Sequence, residues 1–341
     1  MKIFIPMAGK GTRLRPFTLT CPKPLLKIID KPIVEHLIDQ ISSNLSSPIE
    51  EIIYILGDEA YFNSDVIASL SLIADKYNAK TKVYRQLDQL GTGHAIMCAE
   101  ESLEGPSIIA YADTMIQGKI SISPDVDGII WVKKVEDPSS YGVVNLNEDG
   151  SIIELAEKPK KFISDLAVVG IYYFKDISLI RDHLKIHLQD TLEIGKEYLL
   201  NYGIEKMIDN KFIFKSQEID VWMDCGTPKL LIESAKKIMK SDKSLNSEIN
   251  LVKYKNTEII PPVFLGKNVK VIGSKLGPYV SVGDNANIIN SKVESCIIYN
   301  DAKVSNADIK NSILGLNSSY DGSHNEVFLG DYSQINNNEN K

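Results

Sequence analysis

The 341-residue chain lacks the sequence features that mark disulfide-stabilised, cysteine-metal, membrane-spanning and secreted proteins. Its four cysteines form no close pair, so neither a disulfide framework nor a cysteine metal site is indicated. No apolar run approaches the roughly 20 residues that span a bilayer. The first residues lack the charged start, apolar core and small-residue cleavage site of a signal peptide. We therefore expect a cytoplasmic protein with reduced thiols and no membrane partner.

An excess of positive charge is also missing. The formal net charge is −7, which argues against a general nucleic-acid binder, because such proteins present a basic face. Residues 2–31 are a local exception, with Lys2, Lys10, Arg13, Arg15, Lys23, Lys27 and Lys31. A basic segment in an acidic chain suits a small anionic ligand, so we expect no nucleic-acid partner.

The first two thirds of the chain alternate apolar strands with amphipathic helices. The strands include "KIFIPM" (2–7) and "SIIAYAD" (107–113), and "KPIVEHLIDQI" (31–41) is typical of a helix. "YGVVNL" and "SIIELA" flank "NEDG" (147–150), which predicts a hairpin. The alternation predicts an α/β fold, namely a Rossmann-like, mostly parallel sheet flanked by helices.

The pattern changes after the polar stretch 241–250, which we interpret as a linker. Aliphatic residues then recur about every six positions, with small polar residues, Gly and Asn between them: Val263, Val269, Leu276, Val282, Ile288, Ile298 and Val304. This spacing predicts a small left-handed parallel β-helix, with a plain antiparallel β domain as the alternative. We expect domains at 1–240 and 251–330, a disordered tail at 331–341, and self-association into a homo-oligomer through the repeat.

A glycine-containing loop, "AGKGTRL" (8–14), directly follows the first strand. Gly9 and Gly11 would let the backbone approach a ligand and take positive φ, and main-chain N–H groups at such a place suit phosphate. Arg13 could hold phosphate oxygens in a bidentate way. The spacing matches neither the P-loop nor the dinucleotide-binding pattern. On these residues alone, a phosphate-binding loop and a simple turn both stay open.

The longer stretch "GKGTRLRPFTLTCPKPLLKI" (9–28) resembles the signature of the sugar-phosphate nucleotidyltransferases. Similar segments follow in the family's order: "QLDQLGTGHAI" (86–96), "YAD" (111–113), "DPSSYGVV" (137–144), "EKP" (157–159), "LAVVGIYYF" (166–174) and "VWMDCGTP" (221–228). The resemblance covers about residues 1–240, and several branches of this family also carry a β-helix tail. It implies an enzyme that joins a nucleoside triphosphate to a sugar 1-phosphate and releases pyrophosphate, with Mg²⁺ as cofactor.

The resemblance also implies roles on the nucleotide side. Arg13 would bind the departing end of the triphosphate, and Lys23 would contact phosphate near the reacting centre, as the two catalytic groups. Gln86 would pair with the edge of a pyrimidine. The implied nucleotide-binding residues are Ala8, Gly9, Gly11, Thr12, Gln86, Gly91 and Thr92. His94 is interpreted as packing at a helix start rather than reacting.

Further roles concern the sugar phosphate and the metal. Glu157 would accept hydrogen bonds from sugar hydroxyls, Lys158 would bind the sugar phosphate, and Gly142 would approach the sugar by its N–H. Asp113 and Asp224 both follow apolar runs, and carboxylates at strand ends suit Mg²⁺. Without the resemblance, a helix cap and a turn would explain these two residues as well.

Different segments of the chain resemble family members that use different substrates. Val168 stands on the sugar strand where acetylglucosamine uridylyltransferases place an asparagine, although residues 86–96 resemble the loop of those enzymes. The motifs together look most like glucose-1-phosphate thymidylyltransferases, so dTTP and glucose 1-phosphate are the expected substrates. Glucose-1-phosphate uridylyltransferase and then mannose-1-phosphate guanylyltransferase are alternatives. From other classes, a non-catalytic regulatory homologue and a β-helix acyltransferase remain, the latter disfavoured because residues 188–323 contain no histidine.

Overall fold

The computed structural model describes residues 1–189, 196–246 and 256–336. Contacts between residues divide the chain into two compact units. The first contains Met1–Gly9 and Val34–Trp222, and the second contains Lys10–Ile33 and Met223–Lys341. The domain boundaries expected from the sequence stay a prediction. Part of the expected linker, residues 247–250, lies outside the described residues.

Strands and helices alternate through the first 241 residues. The elements are β1 (Lys2–Pro6), β2 (Lys27–Ile28), β3 (Lys31–Pro32), α1 (Ile33–Ser42), β4 (Glu51–Leu56), α2 (Ser64–Asp75), β5 (Lys80–Arg85), α3 (Thr92–Met97), β6 (Ser107–Ala110), β7 (Thr114–Gln117), β8 (Gly128–Lys134), β9 (Gly142–Leu146), β10 (Ile152–Glu157), β11 (Leu166–Phe174), α4 (Ser178–His187), α5 (Leu200–Asp209), β12 (Phe214–Glu218), β13 (Val221–Asp224) and α6 (Pro228–Ser241). Short 3₁₀ turns lie at Thr12–Leu14, Phe17–Leu19, Lys23–Leu25, Glu100–Ser102 and Lys243–Asn246.

The first unit contains a mixed sheet with the strand order β10-β9-β11-β6-β1-β4-β5, to which β8 and β12 are added beside β11. Strands β5, β4, β1 and β6 are mutually parallel, and β11 runs antiparallel to β6. Ile3, Phe4 and Ile5 of β1 are fully buried, as expected for a central strand covered on both faces. The α/β fold class is confirmed, and so is the β9–β10 hairpin around 147–150.

A β-bulge shapes the sheet near the candidate site. The register of β11 against β8 shifts between Val168 and Tyr172. Gly170 takes φ 85° there, and a Cβ on it would lie 2.7 Å from the Tyr111 ring. Glycine therefore allows β11 to approach the residue that follows β6, and this approach positions Tyr111 and Tyr172 for the contacts described below.

The second unit ends in a parallel β-helix. Its strands are β14 (Glu258–Ile259), β15 (Val263–Leu265), β16 (Lys270–Ile272), β17 (Lys275–Leu276), β18 (Val280–Val282), β19 (Asn287–Ile289), β20 (Lys292–Glu294), β21 (Cys296–Ile298), β22 (Lys303–Ser305), β23 (Asp308–Lys310), β24 (Ile313–Leu314), β25 (Ser319–Asp321), β26 (Phe328–Leu329) and β27 (Gln334–Asn336). Up to β25, every third strand joins the same parallel sheet, and β26 and β27 then extend two of the three sheets. The orders are β14-β17-β20-β23, β15-β18-β21-β24-β26 and β16-β19-β22-β25-β27. This arrangement is consistent with the predicted left-handed β-helix, and it excludes the antiparallel alternative.

The predicted six-residue spacing describes the β-helix core correctly. All seven aliphatic residues named above are buried, from Val269 at 4% exposed to Ile288 at 0%. Hydrogen bonds between equivalent positions of adjacent coils span 15 to 17 residues, slightly fewer than three full hexapeptides. Asn268 and Asn285 occupy corners at φ 57° and 59°, and their side-chain amides hydrogen-bond at 3.2 Å. Asparagine tolerates this left-handed backbone, which explains its frequency in the repeat.

Two further features of the β-helix are its contact with α6 and its last strand. Helix α6 begins with Thr227 as N-cap, and its Lys236 Nζ donates to Asn311 Oδ1 at 3.1 Å. At the far end, β27 pairs with β25 within the stretch for which we expected a disordered tail. One more strand therefore continues the stack past residue 330, and residues 337–341 lie outside the described part. Within the described residues, no helix has the length and hydropathy needed to cross a bilayer.

Candidate functional site

In the first unit, Ala8 and Gly9 follow β1. Ala8 is buried and its carbonyl accepts a hydrogen bond from Gln89 Nε2 at 3.0 Å. Gly9 is exposed, and a Cβ on it would meet no atom within 4 Å. Gly9 does not take a positive φ, so this part of the expectation was wrong. Contacts within its own unit therefore do not require glycine at position 9.

Gln86 lies at the end of β5 and is 5% exposed. Its Nε2 donates to the Gly91 carbonyl at 2.9 Å and lies 3.1 Å from His94 Nδ1. The carbonyl fixes which end of the amide is the donor, so Nδ1 of His94 must be the acceptor. Both amide hydrogens are thereby used inside the protein, and Oε1 is the atom of Gln86 left for a ligand.

His94 is therefore neutral, with its proton on Nε2. Burial lowers the pKa of His94 from its ordinary value, and Asp88 opposes this in part. Protonation would place an N–H of the ring against the N–H₂ of Gln86. The stability contributed by neutral His94 is complete above its unfolded pKa of about 6.5, and it is lost as the pH falls through the lowered folded pKa.

Acidification should therefore disturb the 86–94 loop. We expect the free energy of unfolding to fall, and nucleotide affinity to weaken several-fold, between pH 7 and pH 5. His94→Asn keeps an acceptor near the Nδ1 position without titrating, so it should flatten both profiles, as measured by denaturant unfolding and nucleotide titration. His324→Asn, at an exposed histidine of the β-helix, is the control. An unchanged pH profile in His94→Asn would contradict this assignment.

Close packing against neighbouring main chain explains why residue 91 is glycine. Gly91 takes φ 112°, and a Cβ on it would lie 2.6 Å from the Tyr198 carbonyl. The same carbonyl accepts from Gly93 N at 2.7 Å, and Tyr198 N donates to Leu90 at 2.8 Å. The segment at Tyr198 therefore holds this loop against the start of α3. The resemblance implied that Gly91 binds the nucleotide, but the sequence could not show that protein backbone packs closely against this glycine.

A chain of hydrogen bonds links the nucleotide loop to the predicted sugar side. Thr92 Oγ1 accepts from Leu200 N at 3.0 Å. The adjacent Asn201 accepts from the Tyr172 hydroxyl at 3.2 Å through Oδ1. Tyr111 packs edge to face on Tyr172, with ring centroids 5.7 Å apart. Asn201 Nδ2 donates to Glu157 Oε2 at 2.9 Å. Burial raises the pKa of Tyr111 to about 12, so its hydroxyl stays protonated at neutral pH.

Glu157, Lys158 and Gly142 are close together at the end of the β9–β10 hairpin. Lys158 Nζ lies 3.5 Å from Glu157 Oε1, and a Cβ on Gly142 would lie 3.1 Å from both Glu157 Oε2 and Asn201 Nδ2. Gly142 therefore leaves room for Asn201 to reach Glu157. Val168 is 8% exposed on β11 and offers only apolar surface.

Asn201 should matter to the sugar side although no sequence motif marked it. Asn201→Ala removes the donor that holds Glu157 Oε2 and leaves Tyr172 without its acceptor. We expect the KM for the sugar phosphate to rise about tenfold, the size of one hydrogen bond to a charged group. Asn145→Ala is the matched control, because Asn145 makes a 3.5 Å contact from the same hairpin to exposed Glu154. Equal effects of the two substitutions would contradict the role of Asn201.

In the second unit, Gly11 opens the turn that carries Thr12 and Arg13. Gly11 takes φ 59°, as expected, and its carbonyl accepts from Thr18 Oγ1 at 2.8 Å. A Cβ on Gly11 would lie 3.0 Å from Lys23 Cβ. Lys23 is 8% exposed, although loop lysines are rarely buried unless they are paired. Glycine at position 11 thus allows the turn to fold directly onto Lys23.

Arg13 and Asp224 both lie close to Gly226 in this unit. Gly226 N donates to Asp224 Oδ1 at 2.7 Å. A Cβ on Gly226 would lie 2.9 Å from that oxygen and 3.2 Å from Arg13 Nη2. A side chain at Gly226 would therefore separate the guanidinium from the turn that holds the carboxylate. The sequence segment "DCGT" signals this geometry, but the approach of Arg13 was not predicted.

Each unit thus gathers part of the predicted set. The first unit contains Ala8, Gly9, Gln86, Gly91, Thr92, Asp113, Gly142, Glu157, Lys158 and Val168, and the second contains Gly11, Thr12, Arg13, Lys23 and Asp224. Asp113 is half-buried in the turn between β6 and β7. Within the described ranges, no group of three or more His, Cys, Asp or Glu residues could hold a metal. Asp113 and Asp224 supply the hard oxygen ligands that Mg²⁺ takes alongside substrate phosphates, so their chemistry fits that ion, and their joint site stays a prediction.

Comparison with known proteins decides the family. The nucleotidyl transferase family profile matches residues 4–241, which is most of the chain. The chain belongs to the nucleotidyl transferase family. The match includes every residue of the site described above, in both units.

Individual relatives differ in how much of the chain they match. The bifunctional protein GlmU of Methanococcus maripaludis is 32% identical over 67% of this chain, and the chain spans about half (52%) of that relative. A glucose-1-phosphate thymidylyltransferase of Streptomyces antibioticus is 27% identical over 98% of this chain and 99% of its own length. A solved UDP-glucose pyrophosphorylase, complexed with UDP-glucose, aligns with a TM-score of 0.56 and 25% identity over 71% of this chain and 99% of its own.

Proposed function

We propose that this protein transfers a nucleotidyl group from a nucleoside triphosphate to a sugar 1-phosphate and releases pyrophosphate. The preferred substrates are dTTP and glucose 1-phosphate, and the product is dTDP-glucose. The observation that carries the substrate choice is the end-to-end similarity to a glucose-1-phosphate thymidylyltransferase, which includes the β-helix. The GlmU relative matches only 67% of this chain.

The geometry of the first unit supports the nucleobase and sugar roles. Gln86 presents Oε1 as an acceptor, which suits the N3–H that thymine and uracil both carry. Glu157 is held by Asn201 at 2.9 Å, so its carboxylate is oriented before any sugar hydroxyl arrives. Orienting an acceptor in advance lowers the entropic cost of binding.

The reaction needs charge neutralisation more than proton transfer. The sugar phosphate oxygen is already an anion when it attacks the α-phosphorus, and pyrophosphate leaves on the opposite side. Arg13 would bind the departing phosphates, Lys23 would contact phosphate near the reacting centre, and Lys158 would hold the sugar phosphate. Catalysis then consists of positioning two mutually repelling anions in line. No protein nucleophile and no general base is required.

Mg²⁺ is the proposed cofactor, with Asp113 and Asp224 as its protein ligands. When bound, it would neutralise phosphate charge and order the phosphate oxygens. Asp224 is prepared for such a role because the Gly226 N–H already fixes one of its oxygens at 2.7 Å.

The uridylyl alternative has a specific observation in its favour. The solved structure that aligns with this chain is a UDP-glucose pyrophosphorylase, and thymine differs from uracil by one methyl group. A pocket discriminates one methyl by only about 1–3 kcal/mol. Acetylglucosamine is disfavoured because Val168, buried on β11, offers no hydrogen bond to an acetamido group.

A substrate matrix tests the proposal. Pyrophosphate release is measured for dTTP, UTP, GTP, CTP and ATP against the 1-phosphates of glucose, mannose, galactose and acetylglucosamine. The proposal expects the highest kcat/KM with dTTP and glucose 1-phosphate, with UTP the next nucleotide. Preference for GTP with mannose 1-phosphate, or for UTP with acetylglucosamine 1-phosphate, would overturn the substrate choice. Folded protein with no activity in any pair would support a regulatory homologue instead.

A further inference from the structure

By its residue–residue contacts, the segment that carries Arg13 and Lys23 is grouped with the β-helix. Residues Lys10–Ile33 belong to the same compact unit as Met223–Lys341, although the first strand of the α/β sheet ends only a few residues before them. In the β-helix, one corner meets this segment. We define this corner by Tyr299, Gly330 and Asp331.

Tyr299 makes the first of the corner's contacts. Its hydroxyl donates to the main-chain carbonyl of Lys27 at 3.1 Å, between residues 272 positions apart. Burial raises the pKa of Tyr299 well above its ordinary value, so the hydroxyl keeps its proton and donates at any working pH. This bond lies four residues beyond Lys23, just after the turn Lys23–Leu25.

Asp331 makes the second contact, and each of its two carboxylate oxygens accepts a different hydrogen bond. Oδ1 accepts from Leu316 N at 2.7 Å, which joins adjacent coils, and Oδ2 accepts from Thr20 Oγ1. Asp284, three coils earlier in the stack, makes the equivalent bond between coils, because its Oδ1 accepts from Lys267 N at 2.6 Å. The hydrogen bond to Thr20 is therefore additional to what the coil requires.

Gly330 brings the same corner against Pro16. A Cβ on Gly330 would lie 2.9 Å from Pro16 Cβ, so a larger residue would push the two apart. The three contacts, at Pro16, Thr20 and Lys27, enclose Lys23 in the sequence and begin three residues after Arg13. They fix the stretch at both ends.

We propose that Tyr299 and Asp331 are positioning residues for the triphosphate contacts. The β-helix corner holds residues 16–27 and thereby sets where Arg13 and Lys23 stand. The β-helix is then part of the catalytic apparatus, in addition to any role in assembly. The kinetic part of this inference rests on the proposed function, whereas the structural part does not.

The test is the double variant Thr20→Val/Tyr299→Phe, which removes two hydroxyls and little volume. In ligand-free full-length protein, we expect amide hydrogen exchange in residues 10–33 to become about tenfold faster, since each lost hydrogen bond is worth a factor of a few. In steady-state assays, the KM for the nucleoside triphosphate should rise about tenfold while the KM for the sugar 1-phosphate is unchanged. The double variant Thr20→Ser/Tyr299→Phe keeps a hydroxyl beside Asp331, so both effects should be smaller in it than in Thr20→Val/Tyr299→Phe.

Tyr320→Phe is the matched control. Tyr320 is 1% exposed in the same β-helix, and its hydroxyl hydrogen-bonds to the main chain of His324 at 2.9 and 3.3 Å, away from residues 10–33. It should lower stability without changing exchange in residues 10–33 or the nucleotide KM. Unchanged exchange in the double variant, or an equal change in Tyr320→Phe, overturns the proposal. If the natural protein proves inactive with every substrate pair, the proposed function fails while the exchange experiment still decides the positioning role.

Discussion

Asp224→Asn should lower kcat by roughly 10²–10³-fold and leave the free energy of unfolding nearly unchanged. The size of the loss is that of removing one electrostatic group from a charged transition state. The fold should persist because the asparagine carbonyl can still accept the hydrogen bond from Gly226 N, which Asp224 Oδ1 accepts at 2.7 Å. Asp113→Asn should show a loss of the same order. Both are measured as pyrophosphate release across a Mg²⁺ titration, in which the variants should need more Mg²⁺ for half-maximal rate.

Asp242→Asn is the control for Asp224→Asn. Asp242 makes the same turn, with Oδ1 accepting from the N–H two residues on, Ser244, at 2.9 Å. It lies beyond the end of α6, outside the predicted site. We expect its activity and Mg²⁺ requirement to match those of the natural protein. A fully active Asp224→Asn variant, or an equal loss in Asp242→Asn, would exclude the proposed metal role.

Arg13→Ala should lower kcat/KM for the nucleoside triphosphate by roughly 10²–10³-fold. Arg13 is exposed, and its guanidinium lies beside Gly226 and the turn that holds Asp224. In the proposed reaction it neutralises the departing phosphates, where charge increases in the transition state. Arg13→Lys should recover little, because an ammonium cannot bind phosphate oxygens in the planar bidentate way of arginine.

Arg15→Ala is the control for charge alone. Arg15 is also exposed and lies two residues from Arg13, so its loss changes the net charge of the segment equally. We expect at most a several-fold change in nucleotide KM, which salt should screen. The reverse reaction gives an independent measurement, because Arg13→Ala should raise the KM for pyrophosphate. Matching losses in the two variants would reduce the role of Arg13 to general electrostatic attraction.

The sequence predicted most of the fold because the local spacing of apolar residues indicates which side chains are buried. Fully apolar runs such as residues 3–5 became central strands, and the six-residue spacing from Val263 to Val304 became the β-helix interior. Consecutive strand residues point to both faces of a sheet, so a wholly apolar run indicates burial on both sides, whereas a regular spacing places its apolar side chains on one face. The same reasoning missed the last strand, because β27 is mostly polar and exposed along its length and so gave no signal of burial.

The sequence predicted only those residues of the candidate site that lie in recognisable motifs. Arg13, Lys23, Asp113 and Asp224 stand in recognisable segments, whereas Asn201 lies in α5 with no local mark. Its importance comes from a 2.9 Å hydrogen bond to a residue 44 positions away. Gly91 shows the converse, since its motif suggested a ligand while Tyr198 supplies the close contact.

By itself, the sequence determined the α/β and β-helix parts, the family to which the chain belongs and the residue types offered to phosphate. The tertiary structure decided the partners: Asn201 for Glu157, Gly226 between Arg13 and Asp224, and Tyr299 and Asp331 for the segment 10–33. The physical reason is that periodicity encodes which face of an element is buried. Which distant residue arrives at that face depends on how the whole chain closes, and no local pattern carries that information.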